Sequence, residues 1–147
     1  MSKVFTHKRQ VEFNHCDPAG IVFYPRYFEM ISSVCERFFS DAIDFSWAST
    51  VMKQGYGTPM GNIEVRFHAA SRLEDWLDFS LCVEKIGNAS VTFVITCSCA
   101  GEPRFTCTAT LIYANIATNT SHQWPDAPRA AMQHYITPSL DEKKVTL

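Results

Sequence analysis

Alternation with a period of two dominates the second half of the chain. Between Ala89 and Cys99, the residues Val91, Phe93, Ile95, Cys97 and Cys99 fall on one face, while Ser90, Thr92, Thr96 and Ser98 share the other with Val94. That pattern predicts a half-buried strand. The stretch AGEPR, residues 100–104, interrupts it as a turn. Beyond it Phe105, Cys107, Ala109, Leu111 and Tyr113 alternate with Thr106, Thr108 and Thr110, so the two runs predict an antiparallel hairpin. Upstream, Leu77, Phe79, Leu81 and Val83 alternate with Asp78, Ser80, Cys82 and Glu84, and Ile63, Val65 and Phe67 alternate with Asn62, Glu64, Arg66 and His68. With Val11 and Phe13 near the start, the count comes to about five strands.

One segment has a different period. Phe28, Ile31, Val34, Cys35, Phe38 and Phe39 recur at helical spacing, with Glu29, Ser33, Glu36, Arg37 and Ser40 mostly elsewhere, which predicts an amphipathic helix. Pro25 suits a first turn, where its missing N–H is not needed, so the helix is placed to start at Tyr24 or Pro25. Shorter helices are predicted over residues 46–54 and 127–135. The class is therefore α+β: one strand, one long helix, then four antiparallel strands whose inner face only that helix is large enough to cover. With no repeat or linker, residues 1–147 are expected to form one domain.

Composition narrows the partners. Of 147 residues 46% are hydrophobic, enough for a sizeable core, and 13 basic against 15 acidic side chains leave a formal charge of -2 with no cationic stripe. Nucleic acid and anionic membrane surfaces are thereby unfavoured. The N-terminal MSKVFTHKRQ lacks the apolar core of a signal peptide, and no run is apolar enough to span a membrane, so the expected location is cytoplasmic. Six cysteines without CxxC spacing read as reduced, mostly buried thiols, and the scattered histidines predict no metal site.

The candidate chemistry lies in FNHCDPAGIVFYPRYF, residues 13–28, where one carboxylate, Asp17, stands among apolar and aromatic neighbours. Read from the residues alone, Asp17 is either an Asx-turn residue before Pro18 or a working carboxylate. The unpaired N–H groups of a helix beginning near Tyr24, at the positive end of its dipole, could donate to a carbonyl oxygen. This motif resembles the 4-hydroxybenzoyl-CoA thioesterase family of the hotdog fold. The similarity extends to GTPMGNIEVRFHAASRLEDWLDF at residues 57–79 and KIGNAS at 85–90.

The resemblance implies an antiparallel sheet of about five strands wrapped around one central helix. It also implies hydrolysis of an aryl- or short acyl-CoA thioester to free acid and CoA. In that reading Asp17 is the nucleophile or general base and the Tyr24 amide polarises the carbonyl. Gly20, Ile21, Val22, Phe23, Pro25, Tyr27 and Phe28 line the acyl site, and Ser32, Thr58, Pro59, Met60 and Ser90 add contacts. No cofactor is needed beyond the CoA of the substrate. A dimer of dimers is expected, with active sites at the dimer seam completed by residues 58–60 of the second chain.

Three departures matter. His15 replaces an acidic residue and, on a continuing strand, would share a face with Asp17, where it could hold a proton near the carboxylate. Ser32 replaces the acidic residue that reads a phenolic hydroxyl. The basic cluster for CoA phosphates is thinned to Lys85, leaving Arg66, Arg72 and Arg104 as available cations, each of which reads more simply as a solvated charge. The competing readings are a silent acyl-CoA-binding hotdog protein and an acyl-ACP thioesterase.

Overall fold

The computed structural model describes residues 2–137. In chain order it contains β1 (Phe5–Gln10), α1 (Tyr24–Arg37), α2 (Trp47–Thr50), β2 (Tyr56–Gly57) and β3 (Met60–Phe67). There follow β4 (Trp76–Ile86), β5 (Ser90–Cys99), β6 (Glu102–Ile112), β7 (Ala114–Asn115), β8 (Thr120–Ser121) and α3 (Asp126–Gln133). The five longer strands form one sheet in the order β1-β4-β5-β6-β3, antiparallel at every step.

The alternation read from the sequence sets which face is buried. Leu77, Phe79, Leu81 and Val83 of β4, Val91, Phe93, Ile95 and Cys97 of β5, and Phe105, Cys107, Ala109 and Leu111 of β6 are all buried. Tyr27, Met30, Ile31, Val34 and Cys35 of α1 close over them. At its C-terminal end α1 loosens into a π-helical turn over Phe38–Ala42, with both Phe38 and Phe39 wholly buried. Their rings lie 5.1 and 5.7 Å from that of Phe93, and each buried ring stabilises the core by roughly 1.5–3 kcal/mol. Of the six thiols, Cys35, Cys97 and Cys107 are buried and Cys16, Cys82 and Cys99 half-buried, all unbridged. Burial pushes the Cys35, Cys97 and Cys107 thiols up to about 12, so they are inert packing groups.

The first strand differs from the expectation. It spans Phe5–Gln10, and Val11 turns out of it by exchanging backbone hydrogen bonds with Glu74 and Asp75. The chain then makes a 3-10 turn over Phe13–His15, leaving Phe13 84% exposed. The shorter helices form with tighter bounds. Ser46 caps α2, its Oγ accepting from the Ser49 N–H at 3.2 Å. No helix among the described residues is long and apolar enough to cross a membrane.

Candidate active site

Residues 16–22 form a tight hairpin that carries Asp17. Cys16 and Val22 bridge antiparallel, the Asp17 N–H donates to the Ile21 carbonyl at 3.0 Å, and the Gly20 N–H donates to the Asp17 carbonyl at 2.9 Å. Pro18 stands where a turn needs a fixed φ, and Gly20 has φ +80, open to glycine without strain. A Cβ at Gly20 would meet nothing within 4 Å, so glycine serves the backbone conformation there and not a close approach. The Asp17 Oδ1 accepts from the Ala19 N–H at 2.9 Å. This is the Asx turn, and it occupies one carboxylate oxygen. No protein group among the described residues bonds Oδ2, so the turn leaves half of the carboxylate open.

The hairpin feeds directly into α1. The Phe23 N–H donates to the His15 carbonyl at 2.9 Å and the Arg26 N–H to the Phe23 carbonyl at 2.8 Å. Pro25 has no N–H to offer. The Tyr24 N–H, first of the helix, has no acceptor among the described residues, and it points out at the positive end of a helix of 14 residues. Because the His15–Phe23 bond clamps both arms, Asp17 and Tyr24 are each anchored within two residues of it.

His15 does not act beside Asp17 as the strand reading would have it. It closes the 3-10 turn, is 6% exposed, and its Nδ1 accepts from the Glu12 N–H at 2.8 Å. Burial, with Arg9 next, holds its pKa below the usual histidine value, which fits a neutral ring used as an acceptor. Arg104 is likewise no solvated cation. It is 8% exposed and places Nη1 2.8 Å from Asp75 Oδ2 and 3.0 Å from the Ala70 carbonyl. Asp75 Oδ2 also accepts from the Arg72 N–H at 2.9 Å, and these bonds hold the Asp75 carboxyl below its ordinary range. The segment so braced supports the hairpin, for Ile21 bridges Arg72 and the Val22 N–H donates to the Ser71 carbonyl at 2.8 Å. Nothing in the local sequence marked Arg104 as a brace or Asp75 and Ser71 as its supports, since Arg104 reaches Asp75 and Ala70 across 29 and 34 residues of chain and Ser71 meets Val22 across a longer stretch still.

The aromatic residues divide in two. Tyr27 is buried against Phe67 and Phe105, with centroids 5.5 and 5.3 Å away, and Val22 is buried too. Both belong to the core floor. Phe23, Tyr24 and Phe28 stay exposed at 47, 62 and 36%, with Ile21 and Pro25 half-buried beside them. Ser32 is exposed on α1, about 12 Å along the axis from Tyr24.

Four candidates lie elsewhere within one chain. Phe67 packs at the Tyr27 end, whereas Thr58, Pro59 and Met60 sit at the opposite end of β3, roughly 24 Å away. Ser90, paired with Ile112, is at that same far end. Thr58 and Pro59 there line an apolar cavity of about 390 Å³ with Trp47, Val51, Gly57 and Ile116.

An antiparallel sheet curled on one long helix, with a carboxylate-bearing hairpin at the helix start, defines the hotdog class. Solved structures share this fold. A 1,4-dihydroxy-2-naphthoyl-CoA thioesterase from Synechocystis matches with a TM-score of 0.80 and 17% identity, covering 89% of this chain and 96% of its own. A Staphylococcus aureus protein solved in complex with CoA matches at 0.82 and 18% identity, covering 92% and 85%. The family model of the Thioesterase-like superfamily matches residues 11–133, and the chain belongs to that superfamily. Among curated proteins, 4-hydroxybenzoyl-CoA thioesterase from Pseudomonas sp. strain CBS-3 is 29% identical over 86 residues, 58% of this chain. The match spans 61% of that relative's length.

Proposed function

We propose that this chain is an acyl-CoA thioesterase that hydrolyses an aryl- or short acyl-CoA ester to the free acid and CoA. The observation that carries the reading is the joint placement of a carboxylate with one free oxygen and an unpaired helix N–H, both pinned by the His15–Phe23 hydrogen bond. Asp17 either attacks the thioester carbonyl carbon, expelling the CoA thiolate and leaving an anhydride for water to open, or takes a proton from the water that attacks. In both routes the carbonyl oxygen gains negative charge, and the Tyr24 N–H at the helix start stabilises it. The exposed rings of Phe23, Tyr24 and Phe28 favour a flat or compact acyl group. CoA enters as part of the substrate, with no further cofactor in the mechanism, and the working assembly is a dimer or a dimer of dimers. The test is a thiol-release screen over benzoyl, hydroxybenzoyl, phenylacetyl and aliphatic CoA esters. Wild-type protein should release CoA from at least one of them, and Asp17→Asn should lower that rate by about 10²–10⁴-fold. Binding of CoA esters without any release would make the chain a silent acyl-CoA-binding protein instead.

A further inference from the structure

Asp17 and the Tyr24 N–H stand on different supports. The Tyr24 amide belongs to α1 and moves only with the helix. Asp17 belongs to the hairpin, which joins α1 at its base through the bond from the Phe23 N–H to the His15 carbonyl. One bond at the base leaves the hairpin free to tilt. Asp17 lies two residues from that pivot, about 7 Å of chain, so a tilt of about 10° carries its carboxylate about 1 Å. A misplacement of that size is enough to cost about 10²-fold in rate.

What stops the tilt is the hairpin's second attachment, where Ile21 bridges Arg72 and the Val22 N–H donates to the Ser71 carbonyl. The position of Ser71 and Arg72 is thereby passed on to Asp17. Three bonds shape the loop around these two residues, and all run to one node. Arg104 Nη1 donates to the Ala70 carbonyl at 3.0 Å and to Asp75 Oδ2 at 2.8 Å, and the same carboxylate oxygen accepts the Arg72 N–H at 2.9 Å. The Arg104 carbonyl also accepts the His68 N–H at 2.8 Å, so one residue of β6 grips the loop at its start and at its close. On the other side the loop faces α1. There the Tyr27 hydroxyl comes up to Ser71, yet both side-chain hydroxyls are buried without completing a hydrogen bond. Helix and loop touch there without being bonded, and the charge-assisted bond of Arg104 to Asp75 is left to hold the loop in place.

We propose that Arg104 is a positioning residue for the hydrolysis: its guanidinium, through Asp75 and the Ala70 carbonyl, sets where the Asp17 carboxylate stands against the Tyr24 N–H. The effect on rate rests on the thioesterase reading, whereas the tie between Arg104 and the hairpin does not. Arginine suits the place because its planar guanidinium aims the two N–H bonds of Nη1 in fixed directions, one at each acceptor, and a lysine ammonium is a point charge on a flexible stem. Arg104→Lys therefore keeps the charge and removes the geometry. Phe23, Tyr24 and Phe28 stand on or beside α1, outside the loop that Arg104 holds, so substrate binding is expected to survive a change that displaces Asp17.

Kinetics and amide exchange test the two parts separately. Arg104→Lys and Asp75→Asn should each lower kcat about 10–10²-fold with KM held within about twofold. The double variant should fall no further than the slower single, since both changes open one node. Two controls should keep the wild-type kcat: Glu102→Gln, which removes an ion pair 2.9 Å from Arg104 Nε on the solvent side, and Val83→Ala, a truncation of the buried core at the far end of β4. Amide exchange followed by NMR reads the hairpin without substrate. In Arg104→Lys and in Asp75→Asn the Val22 N–H should exchange at least about tenfold faster than in wild type, while the Phe23 N–H changes little. If Arg104→Lys does not fold, Asp75→Asn carries both readings. An unchanged kcat, a loss that falls on KM, additive losses in the double variant, or Val22 exchange at the wild-type rate would each overturn the proposal. A wild-type protein that releases no thiol from any CoA ester would defeat the functional reading alone, with the Val22 exchange still deciding whether Arg104 fixes the hairpin.

Discussion

Replacing His15 separates two roles that a histidine two residues before a carboxylate could have. In this fold the ring is a buried, neutral acceptor: Nδ1 takes the Glu12 N–H at 2.8 Å while the His15 carbonyl takes the Phe23 N–H. His15→Ala leaves the Glu12 amide without its partner and should cost about 1–3 kcal/mol. His15→Asn offers an oxygen near the position of Nδ1 and should recover most of that loss. Because burial lowers the folded pKa below the ordinary value, the unfolded chain takes up the proton more readily. The stabilising contribution is therefore complete above about pH 6.5 and fades as pH falls through the folded value. Urea denaturation at about pH 8 and about pH 5.5 should show that slope in wild type and a reduced one in His15→Asn. The same variant should leave the acid limb of the hydrolysis rate profile in place. An acid limb that moves, or an unchanged stability slope, would show that the ring works as a charge beside Asp17 and refute the acceptor reading.

Three further outcomes follow from the same geometry. Asp17→Asn should unfold within about 0.5 kcal/mol of wild type, because the amide oxygen can still accept the Ala19 N–H, so its lost turnover would be chemical; comparing denaturation curves with rates checks this. Asp75→Asn should cost about 1.5–3 kcal/mol near neutrality by weakening the 2.8 Å bond from Arg104. Since that carboxyl is held below its ordinary pKa, its contribution is full above about pH 3.9 and lost as pH falls through the folded value, so the variant's acid unfolding curve should be flatter there. Ser32 is exposed on α1 and, in the family resemblance, takes the place of an acidic reader of a para-hydroxyl, so benzoyl-CoA and hydroxybenzoyl-CoA should show similar kcat/KM; a large preference for the hydroxylated ester would place the reader elsewhere.

What was legible in the amino-acid order was periodic or local. Strands β4, β5 and β6 and the start of α1 at Tyr24 could be read because a sheet face repeats every two residues and a helix face every 3.6, so burial imprints itself on neighbouring positions. The turn at residues 17–20 was legible for the same reason, since Pro18 and Gly20 impose their conformations within a few bonds. The family motif singled out Asp17 and Tyr24 as the proposed reacting pair. His15 was misplaced because the strand before it ends at Gln10, where β4 and the 72–75 turn draw Val11 aside, a competition between distant segments that leaves no trace at positions 11–15. Arg104 looked like any surface cation until folding brought Asp75 and the Ala70 carbonyl against it. Thr58 and Met60 carry the longest dependence of all: their distance from Asp17 within one chain is set by the length of β3. That separation follows from how β3 pairs along β6, and no local pattern at residues 58–60 reveals it.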